Sequence, residues 1–241
     1  MKYLLILIVF FSSFSYAKPV GKVIARIPEA SGIAYCKDSD TLIIANDEGY
    51  YYEIDRDGKI LKRTKLGNYD LEGVVCDEKE MIFAIENKGI LIVGKKRPHK
   101  KKIDLDTTYH GKKLPLFNKK SGIEVIAKID YKLYLSKQSN KKKKSFIAVV
   151  QLTSSASKII DVIEHRVADT AGLTYHEGYL YMVSDKEDLL IKYDLENRKK
   201  IQKVKLGKGA WEGIAFDDKG FVYLADDDGQ VVRYKQKSLG L

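Results

Sequence analysis

The chain has 241 residues, 44% of them hydrophobic, and its 43 Lys and Arg against 33 Asp and Glu give a formal net charge of +10. This length fits one domain, with no linker or second module. A basic balance raises nucleic acid or an anionic surface as a partner, but the export signal at the N-terminus argues against nucleic acid.

Residues 1–17 have the organisation of a secretory signal peptide. Lys2 supplies a positive start, residues 4–11 an apolar stretch, and Ser15-Tyr16-Ala17 a small-x-small cleavage pattern. The apolar stretch is too short to span a bilayer comfortably, and no later apolar segment is long enough to do so. The residue directly after the cleavage point is not a Cys, so lipid attachment there is not indicated. We therefore expect cleavage after Ala17 and a mature chain that is periplasmic or secreted.

One short phrase occurs five times along the mature chain: a small or acidic residue, then Gly or Val, then apolar residues. A turn and a second apolar run follow each copy, and that run ends in polar or acidic residues. A period of roughly forty residues, with several short strands per unit, is the signature of a β-propeller. The copies begin at Ser31, Glu72, Glu124, Ala171 and Glu212.

Each unit is expected to form one blade of four antiparallel strands, so residues 18–241 are predicted to be one all-β, five-bladed propeller domain. The last unit ends after its third strand, and an additional strand over residues 21–27 precedes the first unit. We expect this N-terminal strand to complete the last blade and close the ring, which protects the sheet edges. The strands of the first unit are predicted at residues 32–35, 41–45, 50–55 and 59–65, with a tight turn at Asp57-Gly58.

Most of the excess Lys lies in short runs, which we expect to be solvated loops. The two longest units carry these runs as insertions. An anionic surface, such as lipid headgroups or surface polysaccharide, is the alternative partner for them. We expect no nucleic-acid partner, no transmembrane segment and a monomeric chain. The runs occupy residues 95–102, 112–113, 119–120 and 141–144.

Cys36 and Cys76 are the two cysteines of the chain, and they occupy almost equivalent positions in the first two units. Export makes a disulfide between them chemically feasible. Equivalent positions in adjacent blades can also lie too far apart for the narrow Cα window of a disulfide. The alternative is a pair of small buried thiols, and the sequence leaves both open.

A propeller brings the first residue of every phrase to its central axis, so these positions predict an acidic mouth. Three of them are glutamates, and the second strands end nearby in more polar residues. Carboxylates that converge on a narrow channel repel one another unless a cation joins them. An all-oxygen set suits a hard cation, and Ca²⁺ tolerates irregular geometry best. We therefore predict Ca²⁺ as the cofactor, with ligands from Glu72, Glu124, Glu212, Asp47 and Asp185.

The mouth is also a candidate pocket for a small ligand or a protein partner. Trp211 could form the floor of this pocket, although packing between blades is the simpler role for an aromatic residue. Lys137 could neutralise Glu124, grip an anionic ligand or serve as a structural ion-pair partner. A plainer role for an acidic residue before Gly at a strand start is to accept hydrogen bonds from backbone amides in a turn. The candidate pocket residues are Ser31, Asn87, Lys137, Gln138, Trp211 and Asp227.

Five segments in fixed order carry a family signal: residues 30–35, residues 70–74, residues 122–124 with 133–137, residues 169–175, and residues 211–217. Together they cover nearly the whole mature chain, and they resemble the SdiA-regulated family of exported bacterial propellers. The resemblance implies a five-bladed propeller with a bound calcium ion, in which Glu72, Glu124 and Glu212 match recurrent glutamates and Asp47 and Asp185 match Ser-Asp positions. The chain departs from the family pattern where Val125 replaces Gly and Ala171 replaces Ser.

Three functions are consistent with these features. The first, which we favour, is a calcium-stabilised propeller that binds a ligand or a protein without catalysis. The second is a calcium-dependent hydrolase, a lactonase, esterase or phosphoesterase, in which the metal polarises a carbonyl or phosphoryl oxygen. No Gly-x-Ser-x-Gly elbow or Ser/His/Asp set supports catalysis, and the scattered histidines make zinc a poor candidate. The third is an NHL-type propeller that binds polyanions, with the basic runs in its favour and the signal peptide against it.

Overall fold

A computed structural model of the chain describes residues 19–87, 89–97, 99–117, 122–137, 139–153 and 156–241. The predicted signal peptide and Gln138 lie outside the described residues. Within these ranges the chain is all-β apart from two short 3₁₀ helices, Lys142–Lys144 and Gln236–Leu239.

The described residues form 22 strands, most of them short, as the turn-punctuated sequence predicts. In chain order they are β1 Lys22–Arg26, β2 Ala30–Cys36, β3 Thr41–Asn46, β4 Tyr50–Ile54, β5 Ile60–Lys65, β6 Leu71–Cys76, β7 Glu80–Ile85, β8 Gly89–Gly94, β9 Lys100–Ile103, β10 Thr108–Tyr109, β11 Lys112–Lys113, β12 Ile123–Ile129, β13 Lys132–Lys137, β14 Phe146–Leu152, β15 Ser157–Glu164, β16 Thr170–His176, β17 Tyr179–Ser184, β18 Leu189–Asp194, β19 Lys199–Lys205, β20 Trp211–Phe216, β21 Phe221–Asp226 and β22 Gln230–Lys235.

Five antiparallel sheets of four strands each make up the blades of a propeller. Blade 1 is β2-β3-β4-β5, blade 2 is β6-β7-β8-β9, blade 3 is β12-β13-β14-β15, blade 4 is β16-β17-β18-β19, and blade 5 is β20-β21-β22-β1. The innermost strands β2, β6, β12, β16 and β20 contact one another in cyclic order, which closes the ring. The predicted five-bladed propeller is confirmed.

The N-terminal strand closes the ring as predicted. Strand β1 pairs antiparallel with β22, from Lys22 opposite Arg233 to Arg26 opposite Gln230. Blade 5 therefore takes its outermost strand from the beginning of the domain and its other three from the end. The edge of β22 is covered by this pairing, so it offers no free backbone groups to another chain.

Glycine lets the innermost strands lie close together around the axis. A Cβ on Gly32 would lie 2.6 Å from the carbonyl oxygen of Glu72, and one on Gly73 would lie 2.7 Å from the amide nitrogen of Ile126. Neither position admits a larger side chain without movement of the backbone. Blade 3 departs from this pattern, because Val125 stands where the other blades have Gly and packs into the cluster between blades 3 and 4.

Each gap between adjacent blades is filled by its own hydrophobic cluster. Successive side chains along each strand point to opposite faces of the sheet, so one face of a blade packs against the preceding blade and the other packs against the following blade. Tyr51 of blade 1 and Phe83 of blade 2, for example, meet with ring centroids 6.0 Å apart. The core of the molecule is therefore five interfaces between sheets arranged around the axis.

The insertion between blades 2 and 3 is more ordered than the expected solvated loop. It contains the hairpin β10-β11, and Leu116, which follows the hairpin, is fully buried in the cluster between blades 2 and 3. Three neighbours, Tyr109, Leu114 and Phe117, pack against the same cluster. The basic run at residues 95–102 also differs from the expected loop, since its last three lysines belong to β9.

A disulfide joins Cys36 to Cys76, at the ends of the innermost strands of blades 1 and 2. Their Cα atoms lie 5.3 Å apart, inside the window that such a bond requires. The two positions are close because β2 and β6 run side by side along the axis, where the separation between blades is smallest.

Candidate functional site

A β-bulge near the start of each innermost strand sets the direction of the first residue of the phrase. In blades 1, 3, 4 and 5 the pairing with the second strand skips one residue, and in blade 2 it skips two. An extra residue of this kind bends the strand and re-aims its side chain. The first residue of each phrase is the second residue of its strand, whereas the strand predicted for the first unit begins one residue after Ser31. The skipped residues include Ser31, Glu72, Glu124, Ala171 and Glu212.

The acidic residues meet at one end of the axis because each innermost strand begins beside the end of its partner. Leu71 pairs with Ile85 in blade 2, and Trp211 pairs with Asp226 in blade 5. The starts of five strands and the ends of five others therefore share one end of the propeller. We call this end the mouth; it comprises Glu72, Glu124 and Glu212 with the carboxylates around them, Asp47, Asp70, Glu86, Asp169, Asp185 and Asp227.

Burial and mutual repulsion raise the pKa of the three mouth glutamates. The pKa of Glu124 rises to about 8 and that of Glu212 to about 9, in both cases mainly through burial and then through neighbouring carboxylates. The pKa of Glu72 lies well above its usual value, because of burial and then the charges of Glu124, Asp70 and Glu212. No basic side chain is among the main influences on these three groups. A bound cation would supply the compensation that the surrounding side chains do not.

The predicted aspartates form the outer part of the mouth. Asp185 and Asp227 both act on Glu212 and raise its pKa. The pKa of Asp47 is itself raised, first by burial and then by the charges of Asp70 and Asp227. All three aspartates therefore belong to the acidic surface on which the sequence places them.

Two further carboxylates, Asp70 and Asp169, were missed from the sequence. Both contribute to the raised pKa of Glu124, and Asp70 also acts on Glu72. Each stands two residues before the first residue of its phrase and directly before the innermost strand of its blade. This spacing was the signal that could have found them.

Several buried oxygen atoms at the mouth have no hydrogen-bond partner among the described residues. They are Oδ1 of Asn46, Asp47 and Asp169 and Oγ1 of Thr170. Buried polar atoms in folded proteins are nearly always paired, so unpaired acceptors need an explanation. A cation or a ligand at the mouth would use oxygen atoms of this kind.

The axial channel narrows below the mouth and widens again at the opposite end. Its waist, about 10 Å³ in volume, lies between the glycines of the innermost strands, and Glu212 is the acidic residue in its lining. The opposite chamber, about 170 Å³ in volume, lies between the ends of the same strands. A waist of this size holds about one water molecule, so a larger ligand at the mouth would not pass through.

Trp211, a candidate for the floor of the pocket, is instead part of the core. It is 4% exposed, lies in the cluster between blades 4 and 5, and donates a hydrogen bond from its indole Nε1 to the carbonyl oxygen of Gly207 at 2.9 Å. These contacts support packing between blades as the role of Trp211, which was the alternative predicted from the sequence.

The remaining pocket candidates among the described residues make separate contacts. Ser31 is buried and donates to the carbonyl oxygen of Glu29 at 3.3 Å, whereas Asn87 is exposed and donates to the Glu86 carboxylate. Burial and then the charge of Lys144 lower the pKa of Lys137, and Glu124 is not among the groups that act on it. Neutralisation of Glu124 by Lys137 therefore has no support in these contacts.

The donor set at the mouth is chemically suited to a hard cation. It consists of carboxylate, amide and hydroxyl oxygens, whereas His176 ends β16 at the opposite end of the axis and stacks on Phe216 with centroids 4.4 Å apart. Among the described residues, no three His, Cys, Asp or Glu side chains already surround one point as metal ligands do.

Basic side chains dominate the outer edge of the propeller. The outermost strands β5, β9 and β19 each expose three Lys or Arg side chains. Some of the cations lie on aromatic rings, such as Arg63, which is 4.0 Å from the ring centroid of Tyr50. None of the helices in the described ranges combines the length and the apolar character that a membrane crossing needs.

The solved structures that are similar to this chain have low sequence identity to it. The glutaminyl cyclase of Myxococcus xanthus is 12% identical, with a TM-score of 0.60, and the match covers 90% of this chain and 96% of that one. The WD40 β-propeller domain of Doa1 is 9% identical, with a TM-score of 0.55, and the match covers 85% of this chain and 78% of that one. Identities this low show the shared fold alone.

A search of curated proteins finds no match to this chain. The model of one family, SdiA-regulated, matches residues 11–229, which is most of the sequence and includes all five phrases. With the propeller fold and the recurrent mouth residues already in place, this match settles the family: the chain belongs to the SdiA-regulated family.

Proposed function

We propose that the chain is an exported calcium-binding β-propeller that serves as a scaffold for a small ligand or a protein partner at its mouth. The observation that carries this proposal is the group of three glutamates, Glu72, Glu124 and Glu212, whose raised pKa values reflect burial and carboxylate neighbours without a compensating cation. Export to the periplasm or the exterior rests on the signal-peptide pattern of residues 1–17.

The three glutamates would supply the inner ligands of the cation, and Asp47 and Asp185 the outer ones. A bound divalent cation supplies positive charge and a Lewis-acid centre that an anionic group of a ligand can approach. The bulges hold the glutamates at the axis, and the unpaired Oδ1 of Asp47 is one acceptor available to complete the set. Binding would draw the carboxylates closer together, since they do not yet surround one point.

Thermal unfolding of the mature chain, first in chelator and then with added Ca²⁺, tests this site. We expect a saturable rise in melting temperature, equivalent to about 2.7 kcal/mol at a hundredfold excess over Kd. Glu72→Gln and Glu212→Gln should reduce the rise, whereas Glu177→Gln, an exposed acid at the opposite end of the axis, should leave it unchanged. No saturable rise, or an equal rise in all variants, would contradict a calcium site at the mouth.

A calcium-dependent hydrolase is the second candidate, and the position of Glu212 favours it. Glu212 lies at the waist, where it could accept a proton from a water molecule held beside a substrate. Its raised pKa, about 9, keeps it protonated at neutral pH without a cation, so it would act as a base only in the calcium-bound protein.

An assay panel of lactones, aryl esters and phosphate esters, with Ca²⁺ and with chelator, separates binding from catalysis. A scaffold shows no turnover above the background rate in either condition. Hydrolysis that requires Ca²⁺ and is lost in Glu212→Gln at saturating Ca²⁺ would favour the hydrolase. The Glu177→Gln variant again serves as the matched control, because it removes one carboxylate far from the mouth.

A further inference from the structure

A groove of about 450 Å³ opens between blades 1 and 2, and no residue of the mouth lines it. Its walls come from β4 and β5 of blade 1 and from β7, β8 and β9 of blade 2. Cys36, which is half of the disulfide between the two innermost strands, lies at its inner end. The volume falls in the range of about 300–1,000 Å³ that is usual for small-molecule sites.

The floor of the groove is apolar and fixed in place. It consists of five residues that are each at most 8% exposed and that belong to the cluster between blades 1 and 2, namely Ile43, Tyr51, Leu66, Met81 and Val93. Because these side chains are already packed against one another, they form a preformed surface for an apolar body.

Three exposed lysines at the rim contact neutral groups. Lys100 Nζ donates to the carbonyl oxygen of Leu66 at 2.9 Å, and Lys65 Nζ donates to the carbonyl oxygen of Glu48. Lys62 Nζ lies 5.9 Å from the ring centroid of Tyr51, which is part of the floor. Among the described residues these ammonium groups form no salt bridge, and they surround an apolar surface.

The acidic residues near the groove offset only part of this charge. Asp38 forms a salt bridge with Lys95, the fourth lysine of the lining, and neutralises it. Glu53, which is opposite Lys62 in the pairing of β4 with β5, accepts a hydrogen bond from Thr41 at 2.9 Å. The three rim lysines thus exceed the one remaining carboxylate of the lining, and the groove is positive.

We propose that this groove binds a small amphipathic anion, an aliphatic carboxylate of medium chain length. Its tail would lie on the apolar floor, and its carboxylate would lie among Lys62, Lys65 and Lys100. The floor requires an apolar body, and the rim requires a negative charge at one end of that body. This site does not depend on the proposed calcium site, because the two share no residue.

Calorimetric titration of the mature chain in chelator with decanoate, below its micelle concentration, tests the groove. We expect one saturable site, and at least tenfold weaker binding of decyltrimethylammonium, which has the same tail and the opposite charge. Lys62→Gln/Lys100→Gln should weaken decanoate binding about tenfold or more. Thr64→Trp, which places a large side chain in the groove, should abolish it.

The matched control is Lys199→Gln/Lys203→Gln, which removes two exposed charges from the outermost strand of blade 4. This variant should bind decanoate as the unchanged chain does, and a cooperative thermal transition should report that each variant is folded. The proposal is overturned if the unchanged chain shows no saturable decanoate binding, if decyltrimethylammonium binds equally well, or if the control weakens binding as much as the groove variants. None of these results bears on the calcium site, since the titration is done in chelator.

Discussion

Glu124 occupies a position that favours its protonated form when no cation is present. Only 8% of the residue is exposed, and the charges of Glu86 and Asp70 add to the effect of burial. We expect Glu124→Gln, measured in chelator near pH 8, to raise the free energy of unfolding by about 1–3 kcal/mol, because it removes a charge that burial penalises.

The same substitution should have the opposite effect once Ca²⁺ is added. Because Glu124 is a proposed ligand, the variant should gain less stability from Ca²⁺ than the unchanged chain. Urea unfolding curves in chelator and in Ca²⁺ measure both effects. A variant that is less stable in both conditions would instead assign Glu124 to turn hydrogen bonding, the plainer role that the sequence also allowed.

Asp217 is the buried anchor of the contact between blades 1 and 5. Its side chain is fully buried, accepts a hydrogen bond from Tyr223 at 3.0 Å, and forms a salt bridge of 3.0 Å with Arg56 of blade 1. We expect Asp217→Ala to lower the free energy of unfolding by about 2–4 kcal/mol, because Arg56 loses its fully buried carboxylate partner and keeps only the more exposed Asp40 and Asp218.

Asp218→Ala is the matched control for this prediction. Asp218 also contacts Arg56, but at 3.6 Å and with half of its side chain exposed, so its removal should cost less than about 1 kcal/mol. Denaturant midpoints compare the two variants. Equal losses of stability in the two variants would show that the buried salt bridge stabilises the contact between blades 1 and 5 no more than the exposed one does.

The kinds of residue at the mouth could be predicted from the sequence, but their contacts could not. The five phrases keep the same register, so Glu72, Glu124 and Glu212 had to share one end of the axis. An aromatic residue beside the phrase can point toward the mouth or toward the next blade. The bulge and the neighbouring sheet decide between the two, and neither can be predicted from the phrase. Trp211 therefore packs into the core, although its place beside Glu212 made it a pocket candidate.

At the scale of the strands, the disulfide connects two neighbouring elements, β2 and β6, near the axis. It closes a loop of 40 residues in sequence separation, for which the chain-entropy model predicts about 3–4 kcal/mol of stabilisation. We expect Cys36→Ala/Cys76→Ala, or reduction of the unchanged chain, to lower the free energy of unfolding by about 2–4 kcal/mol.

Denaturant unfolding with and without reductant measures this contribution. The double variant serves as its own control, because reductant should not change its midpoint. If reduction also leaves the midpoint of the unchanged chain where it was, the bond does not constrain the unfolded chain. That outcome would favour the pair of buried thiols that the sequence left open.

The order of the strands was predictable because local pattern and turn residues repeat with each blade. The exceptions lie where tertiary contacts decide. Residues 108–113 form a hairpin that carries no strong strand pattern, and it is held by the burial of Leu116 between blades 2 and 3. The spacing of the cysteines in the sequence likewise could not predict whether they are bonded, because the distance between β2 and β6 is set by glycine packing at the axis.

At the scale of the whole molecule, charge is separated between the axis and the outer edge. Carboxylates crowd the mouth, whereas lysines lie along β5, β9 and β19 on the outside. A cation and an anion would therefore be attracted to different parts of the same propeller. The proposed calcium site and the proposed groove follow this separation.

The stability of the calcium-free molecule should fall as the pH rises. The pKa values of Glu124 and Glu212 rise from about 4.5 to about 8 and about 9 on folding, so the folded state binds more protons than the unfolded state between these limits. The stabilisation from these two groups is complete below about pH 4.5 and is lost as the pH rises through about 8 and 9.

Ca²⁺ competes with those protons, so the rise in melting temperature that it causes should grow between about pH 5 and pH 9. Melting temperatures across this range, in chelator and in Ca²⁺, measure both trends, and Glu124→Gln/Glu212→Gln should flatten them. A calcium effect of equal size at both ends of the range would place the cation away from these carboxylates.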